Sequence, residues 1–142
     1  MKGNKEKEYC EVCGLPSDSK KTTDKPECIY IATRLTAPYP IEYLYNLKQS
    51  LKAANGVWRR GHYPYVPGLD FMLYLELDGN YGYGEKLPYN LGLEYLRRCD
   101  SILIYNGLKD ANGVKVEYKE AKKYKLKIYK SIEEIPIVIK SK

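Results

Sequence analysis

No stretch of the 142-residue chain is apolar for long enough to span a bilayer, and the amino-terminal MKGNKEKEYC carries no secretory signal. These absences lead us to expect a cytoplasmic protein without a membrane partner. Neither G-x-G-x-x-G nor G-x-x-x-x-G-K-[ST] occurs, so the two common phosphate loops are missing. Cys10-Glu11-Val12-Cys13-Gly14 has the spacing of a zinc knuckle, yet no second knuckle follows. Two thiolates at that spacing can grip one zinc, but a structural zinc needs four ligands. Cys28, Cys99 and His62 are candidate completions, as is a second subunit. A Cys beside a strand is also commonly a small buried hydrophobe. Zinc is therefore a possible component and not a required cofactor.

What is present is lysine and tyrosine. The net charge of +6 is spread along the chain rather than gathered in a block, which fits general solubility better than nucleic-acid binding. The sixteen tyrosines combine an apolar ring with a polar tip, and some are expected to line any pocket. Residues 1–27 are polar, with little to bury, and read as a cysteine-bearing tail. Residues 28–142 read as one domain.

Within that domain apolar strands alternate with helical spacing. Ile29–Ala32 reads as a core strand. Pro40 opens a helix in which Ile41, Leu44, Leu47, Leu51, Ala54 and Trp58 form an apolar stripe, with Gly56 tolerated and Gly61 as its stop. Residues 62–67 read as a strand, and Pro64, which cannot donate to a ladder, puts it at an edge. Residues 71–77 are helical or irregular, 78–89 form a Gly/Tyr loop, and Leu91–Arg98 is a short helix. Ser101–Tyr105 has the pattern of a strand covered on both faces. A helix begins near Val114, with Val114, Val116, Ala121 and Tyr124 inward and Lys115, Lys119, Lys122 and Lys123 outward. Leu126 and Ile128 follow in a strand. Ser131-Ile132-Glu133-Glu134 has capping-box spacing, and residues 136–139 end the domain in an apolar run. The order β-α-β-α-β-α-β predicts an α/β three-layer sandwich with a mainly parallel sheet of four or five strands, Rossmann- or flavodoxin-like.

In such sheets ligands bind at the carboxyl edge of the strands. The loops leaving the strands of Tyr30, Val66 and Ile104 would bring Arg34, Asp70 and Glu117 together there. We expect Glu117 in the first turn of its helix, where unpaired N–H groups and the macrodipole would keep its carboxylate ionised. A first-turn glutamate also simply stabilises its own helix.

Four pieces of the chain resemble a known family. Ile29-Tyr30-Ile31-Ala32, the run through Val57-Trp58-Arg59-Arg60-Gly61-His62, Leu93-Glu94-Tyr95-Leu96-Arg97-Arg98-Cys99-Asp100, and Gly113-x-x-x-Glu117-x-x-x-Ala121 look like the nucleoside 2-deoxyribosyltransferase-like superfamily. They are most similar to its small bacterial and phage members. The resemblance covers about residues 28–130 and not the tail. It implies that Glu117 is a nucleophile attacking the anomeric carbon of a nucleoside or nucleotide, and that Tyr30 holds the carboxylate. Arg34, Asp110, Asn112 and Gly113 are the candidate substrate-binding residues. Two positions depart from the pattern. Gly92 stands where the family's active enzymes carry the aspartate that protonates the leaving base, and Ala111 stands where they carry a Ser or Asp that binds phosphate or sugar. Losing a general acid costs about 10²–10⁴ in rate, so Asp70 or Asp110 would have to substitute. Three readings stay open: an N-glycosidic bond-cleaving or exchanging enzyme, a nucleotide sensor or sink without turnover, and an interaction module using the cysteine knuckle. Assembly as a homo-oligomer is expected.

Overall fold

A computed structural model of the chain describes residues 21–70 and 86–139, the side chains of 86–90 apart. Their elements are, in order, β1 (Thr22–Thr23), β2 (Cys28–Ala32), α1 (Pro40–Arg59), β3 (Tyr63–Tyr65), α2 (Lys86–Arg98), β4 (Ser101–Ile104), α3 (Asn112–Lys123), β5 (Lys127–Tyr129) and β6 (Ile137–Val138). A single 3₁₀ turn, Ile132–Glu134, precedes β6. The main sheet has the order β3-β2-β4-β5, all parallel, and β1 pairs with β6 in a separate two-stranded parallel ribbon. The protein is thus an α/β sandwich of the expected class. β3, which contains Pro64, lies at the sheet edge.

Alternation along the central strands sorts the core into two layers, because successive side chains of a strand face opposite ways. Ile29, Ile31 and Leu103 pack with Ala53, Ala54 and Val57 of α1. Tyr30, Ala32, Ile102 and Ile104 pack with Leu96 of α2 and with Val114 and Ala121 of α3. β4 is buried on both faces, as its apolar run implies.

Helix α1 spans nearly the expected residues but buries a different face. Its inward residues are Ser50, Ala53, Ala54 and Val57, supported by Leu47. Ile41, Leu44, Leu51 and Trp58 of the expected stripe are exposed, Trp58 at 61%. Small side chains let the helix lie close on the sheet, and bulky residues are displaced to its flanks. Gly56 lets the 3₁₀ turn approach α1 closely, since a Cβ there would meet Ile132 Cδ1 at 2.9 Å. Gly61, with φ +88°, ends the helix as expected, and a Cβ there would stand 2.7 Å from Val138 Cβ.

Four other boundaries differ. Helix α2 starts at Lys86, so residues 86–89 are helical rather than part of a loop. Residues 71–85 lie outside the described residues. Helix α3 starts at Asn112, and Val116 and Tyr124 of its expected stripe are exposed. The expected capping box is not formed: Ser131 makes no side-chain cap, and Glu134 instead accepts the Lys130 N–H at 2.9 Å. Part of the polar stretch before residue 28 is built into the fold. Besides β1, Glu27 accepts Lys127 Nζ and the Tyr129 hydroxyl, each at 2.7 Å, and its carbonyl accepts the Tyr63 N–H at 2.9 Å. No described helix is long and apolar enough to cross a membrane.

The core that α1 covers and the exposed flank of α1 can be separated by mutation. Leu103→Ala removes a fully buried side chain and should cost about 2–5 kcal/mol. Trp58→Ala removes an exposed one and should cost less than about 1 kcal/mol in urea titrations of both variants. An equal loss at both positions would contradict the packing described.

Candidate functional site

Tyr30 sits in the middle of β2 and sends its ring into the α2–α3 layer, where it is 1% exposed. A buried phenol needs a partner, and its hydroxyl donates to Glu117 Oε1 at 2.8 Å. Glu117 comes from α3, so this bond joins sheet to helix across 87 residues of sequence. The other carboxylate oxygen, Oε2, is buried and has no hydrogen-bond partner among the described residues.

This is not the setting expected of a first-turn glutamate. Because α3 begins at Asn112, Glu117 is its sixth residue and lies in the second turn, past the unpaired N–H groups. Burial dominates instead. It pushes the Glu117 carboxyl up to about 7, with the Tyr30 hydrogen bond pulling the other way. The carboxyl therefore changes charge near neutral pH rather than staying ionised throughout. Tyr30 itself is held well above the usual phenol range, first by burial and then by the adjacent Glu117 charge, so it remains a donor.

Two further tyrosines build on this pair. Tyr65 of β3 stacks on Tyr30 at 5.6 Å between centroids, and Tyr95 of α2 stacks on Tyr65 at 4.7 Å. Tyr95 is 43% exposed, so the stack runs from the buried Tyr30 to the surface. The Tyr65 hydroxyl donates to Asp70 at 2.8–2.9 Å from the two carboxylate oxygens. Burial raises the Asp70 carboxyl above the usual carboxylate range, and the Tyr65 hydrogen bond offsets part of that. Sequence reasoning assigned neither Tyr65 nor Tyr95 to the site. The signal was there in outline, since Tyr65 neighbours Tyr30 once two parallel strands are paired in register.

Gly92 belongs to the same place. A Cβ built on it would lie 3.1 Å from the Tyr30 hydroxyl. Any side chain at position 92 would therefore start beside the tyrosine that holds Glu117.

The remaining expected site residues lie apart from Glu117. Arg34 forms an ion pair with Asp110, and its N–H donates to Asn106 Oδ1 at 2.8 Å, which ties together the loops after β2 and β4. Asp70 reaches Tyr30 only through Tyr65. Asn112 and Gly113 are the first two residues of α3, one turn before Glu117. A concavity of about 440 Å³ is lined by Arg34, Thr36, Pro38, Ile41, Tyr45 and Asn46, but its lining includes neither Glu117 nor Tyr30. The buried carboxylate, not this shallow surface, has the chemistry of a site. Cys10 and Cys13 lie outside the described residues. His62, one of the candidate zinc ligands, is fully engaged. Its Nδ1 accepts the Glu27 N–H at 3.0 Å and its Nε2 bonds the Pro136 carbonyl at 2.7 Å, an assignment that follows from the hydrogen-bond network. Burial pushes the Cys99 thiol well above its ordinary value, which leaves it a poor nucleophile.

Compared with known proteins, the chain matches no family model, no curated protein and no solved structure. What the site can do rests on its geometry.

The raised Glu117 carboxyl makes a stability prediction. Above its ordinary titration range the unfolded chain has released this proton while the folded chain still holds it, so stability falls as pH rises towards about 7. Glu117→Gln removes that penalty. The variant should exceed the native chain by about 1–3 kcal/mol at pH 8 and lose this advantage near pH 4. Urea unfolding at the two pH values measures it, and a constant difference would show that the carboxyl is not buried as described.

Proposed function

We propose that the protein cleaves or exchanges the N-glycosidic bond of a nucleoside or nucleotide, with Glu117 as nucleophile and Tyr30 as the residue that orients it. The observation that carries this reading is the half-satisfied carboxylate. One oxygen is fixed by Tyr30 at 2.8 Å and the other is buried without a partner among the described residues. A buried unpaired oxygen is costly, and such exceptions call for a reason. Attack on an anomeric carbon uses this arrangement: the held oxygen sets direction, and the free one forms the bond. The covalent glycosyl-enzyme is then resolved by water or a second base. The resemblance of the Tyr30 and Glu117 segments to the deoxyribosyltransferase-like superfamily supports the same assignment.

The reaction also needs an acid for the departing base, and Gly92 offers no side chain beside Tyr30. Asp70 supplies a carboxyl raised by burial, connected through Tyr65 rather than lying against Glu117. Protonation is then the weak step. Bases that leave without needing a proton, such as those already cationic in the glycoside, should be released fastest. Gly92 favours a second reading, in which the pocket binds a nucleotide as a sensor or sink and turns nothing over.

Chromatography of free base after incubation with nucleosides, their monophosphates and N-alkylated cationic analogues separates the two. An enzyme releases base, and Glu117→Gln reduces release by at least about 10³-fold while binding persists. Its rate should rise with pH through about 7 as Glu117 ionises. Tyr30→Phe removes the bond that lowers the Glu117 value, so it should move that rise to higher pH. A sink binds without release, and undiminished release by Glu117→Gln would remove the glutamate from the mechanism.

A further inference from the structure

Folding brings two thiols together at the amino ends of the central strands. Cys28 opens β2, and Cys99 lies in the turn between α2 and β4. Their Sγ atoms stand 3.4 Å apart, although 71 residues separate them in sequence. Both cysteines are free. Their backbones are held on each side of the contact. The Cys28 N–H donates to Asp100 Oδ2 at 2.7 Å, the Asp100 N–H donates to the Cys28 carbonyl at 2.9 Å, and the Cys99 N–H donates to the Leu96 carbonyl at 3.1 Å. Cys99 is buried, while Cys28 is only half-buried, so a small solute reaches the pair from the Cys28 side.

A buried cysteine on its own acts as a small apolar side chain. Two sulfurs in contact, one of them reachable, have instead the layout of an attacking thiol beside a resolving one. We propose that Cys28 and Cys99 are a modification site, an oxidisable dithiol that a hydroperoxide converts into an intramolecular disulfide between β2 and the end of α2. A disulfide holds its sulfurs about 2.0 Å apart, so the pair has about 1.4 Å to close, a change that side-chain rotation supplies. The Cys28 thiolate attacks a peroxide oxygen, the O–O bond breaks, and the departing hydroxide takes up the proton Cys28 gave, leaving as water. Cys28 is then a sulfenic acid. The Cys99 sulfur attacks the Cys28 sulfur, the S–O bond breaks, and the second hydroxide leaves as water with the Cys99 proton. Two thiols and one hydrogen peroxide thus give one disulfide and two waters, with two electrons passing from sulfur to oxygen. Burial pushes the Cys99 thiol up and makes it a poor nucleophile towards solutes. Contact with Cys28 offsets this, because the sulfur it must reach already touches it. The crosslink joins the strand of Tyr30 to the end of the helix that carries Gly92 and Tyr95, and so holds α2 on the sheet. Neither Tyr30 nor Glu117 takes part, so the outcome leaves the proposed chemistry untouched.

Peptide mapping of the full chain, reduced and then treated with a small excess of hydrogen peroxide without denaturant, tests it. We expect both thiols to be lost together, a peptide that links Cys28 to Cys99, and its disappearance on adding dithiothreitol. The same link should form in Cys10→Ser/Cys13→Ser, which lacks the other two thiols of the chain. Cys99→Ser leaves the sulfenic acid unresolved, so a cyclic dione that captures sulfenic acids should label Cys28 in that variant and not in the native chain. Urea unfolding of the oxidised native chain should have a higher midpoint than that of the reduced chain, because the crosslink restrains the unfolded state over a long loop. The native-chain measurements stand even where Cys99→Ser does not fold. Both thiols left free after peroxide, Cys28 over-oxidised without a crosslink, Cys28 linked to Cys10 or Cys13 instead, or a midpoint unchanged or lowered by oxidation would each overturn the proposal.

Discussion

A carboxyl group buried between a sheet and a helix, with one hydrogen bond to hold it among the described residues, is the constraint around which the α2–α3 side of this protein is arranged. Burying Glu117 is unfavourable whenever it is charged, and Tyr30 can offset only part of that. The neighbourhood is consistent with keeping this pair intact. Gly92 leaves room beside the phenol, Tyr65 covers one face of its ring, and Val114 and Ala121 seat α3 on β4 so that Glu117 reaches β2. Arg97 of α2 adds a clamp, donating from Nη2 to Glu120 of α3 at 2.7 Å. A salt bridge of that kind contributes little stability on a surface, but it fixes the spacing of the two helices that flank the pair.

The same constraint explains why the aromatic stack takes the path it does. β3, a strand of three residues, is the edge of the sheet among the described residues. Tyr65 on that edge shields Tyr30, and Tyr95 from α2 shields Tyr65 in turn. The rings thus cover the tyrosine–carboxylate pair on that side. Asp70 accepts from the middle ring of the stack, through the Tyr65 hydroxyl. Two tyrosine–carboxyl pairs result, one buried and one nearer solvent, joined by ring stacking rather than by hydrogen bonds.

The layer order, the parallel sheet, the edge position of β3 and the stop at Gly61 were all legible in the sequence, because each follows from local chemistry: alternation, proline's missing N–H, glycine's access to positive φ. What was not legible depends on distance in space. The apolar stripe of α1 counts Trp58 and Leu44 as core by spacing, yet the sheet approaches so closely that alanines fill the contact. The turn containing Glu117 depends on where α3 begins, and moving that start to Asn112 replaces a helix-end effect by burial. Tyr30 and Glu117 were paired through family resemblance; no periodicity brings together residues 87 apart. Tyr65, Tyr95 and the position of Gly92 beside the phenol needed the strand register and the α2 packing. Arg34 and Asp110 were placed near the right sheet edge, but opposite charges on adjoining loops satisfied one another first.

Gly92 and the raised Glu117 carboxyl bear on each other. A carboxylate at position 92 would begin beside the Tyr30 hydroxyl, and two like charges around one phenol would drive the Glu117 proton affinity higher still. With glycine there, Glu117 is the only carboxyl that contacts Tyr30 among the described residues, and its value rests on burial opposed by a single hydrogen bond. Under the proposed function, an entering nucleoside or nucleotide would change both terms. It displaces solvent, which raises the value, and it brings a sugar ring that gains positive charge on the way to bond cleavage, which lowers it. The second effect grows only as the glycosidic bond breaks. The carboxylate's charge is therefore favoured most at the transition state, which is the condition under which binding energy speeds a reaction rather than merely tightening the ground state. A site built only to hold a nucleotide gains nothing from a carboxyl balanced near neutrality. For such a protein, replacing Glu117 by an amide would relieve the buried charge and preserve affinity, whereas for an enzyme the same change removes the bond-forming atom.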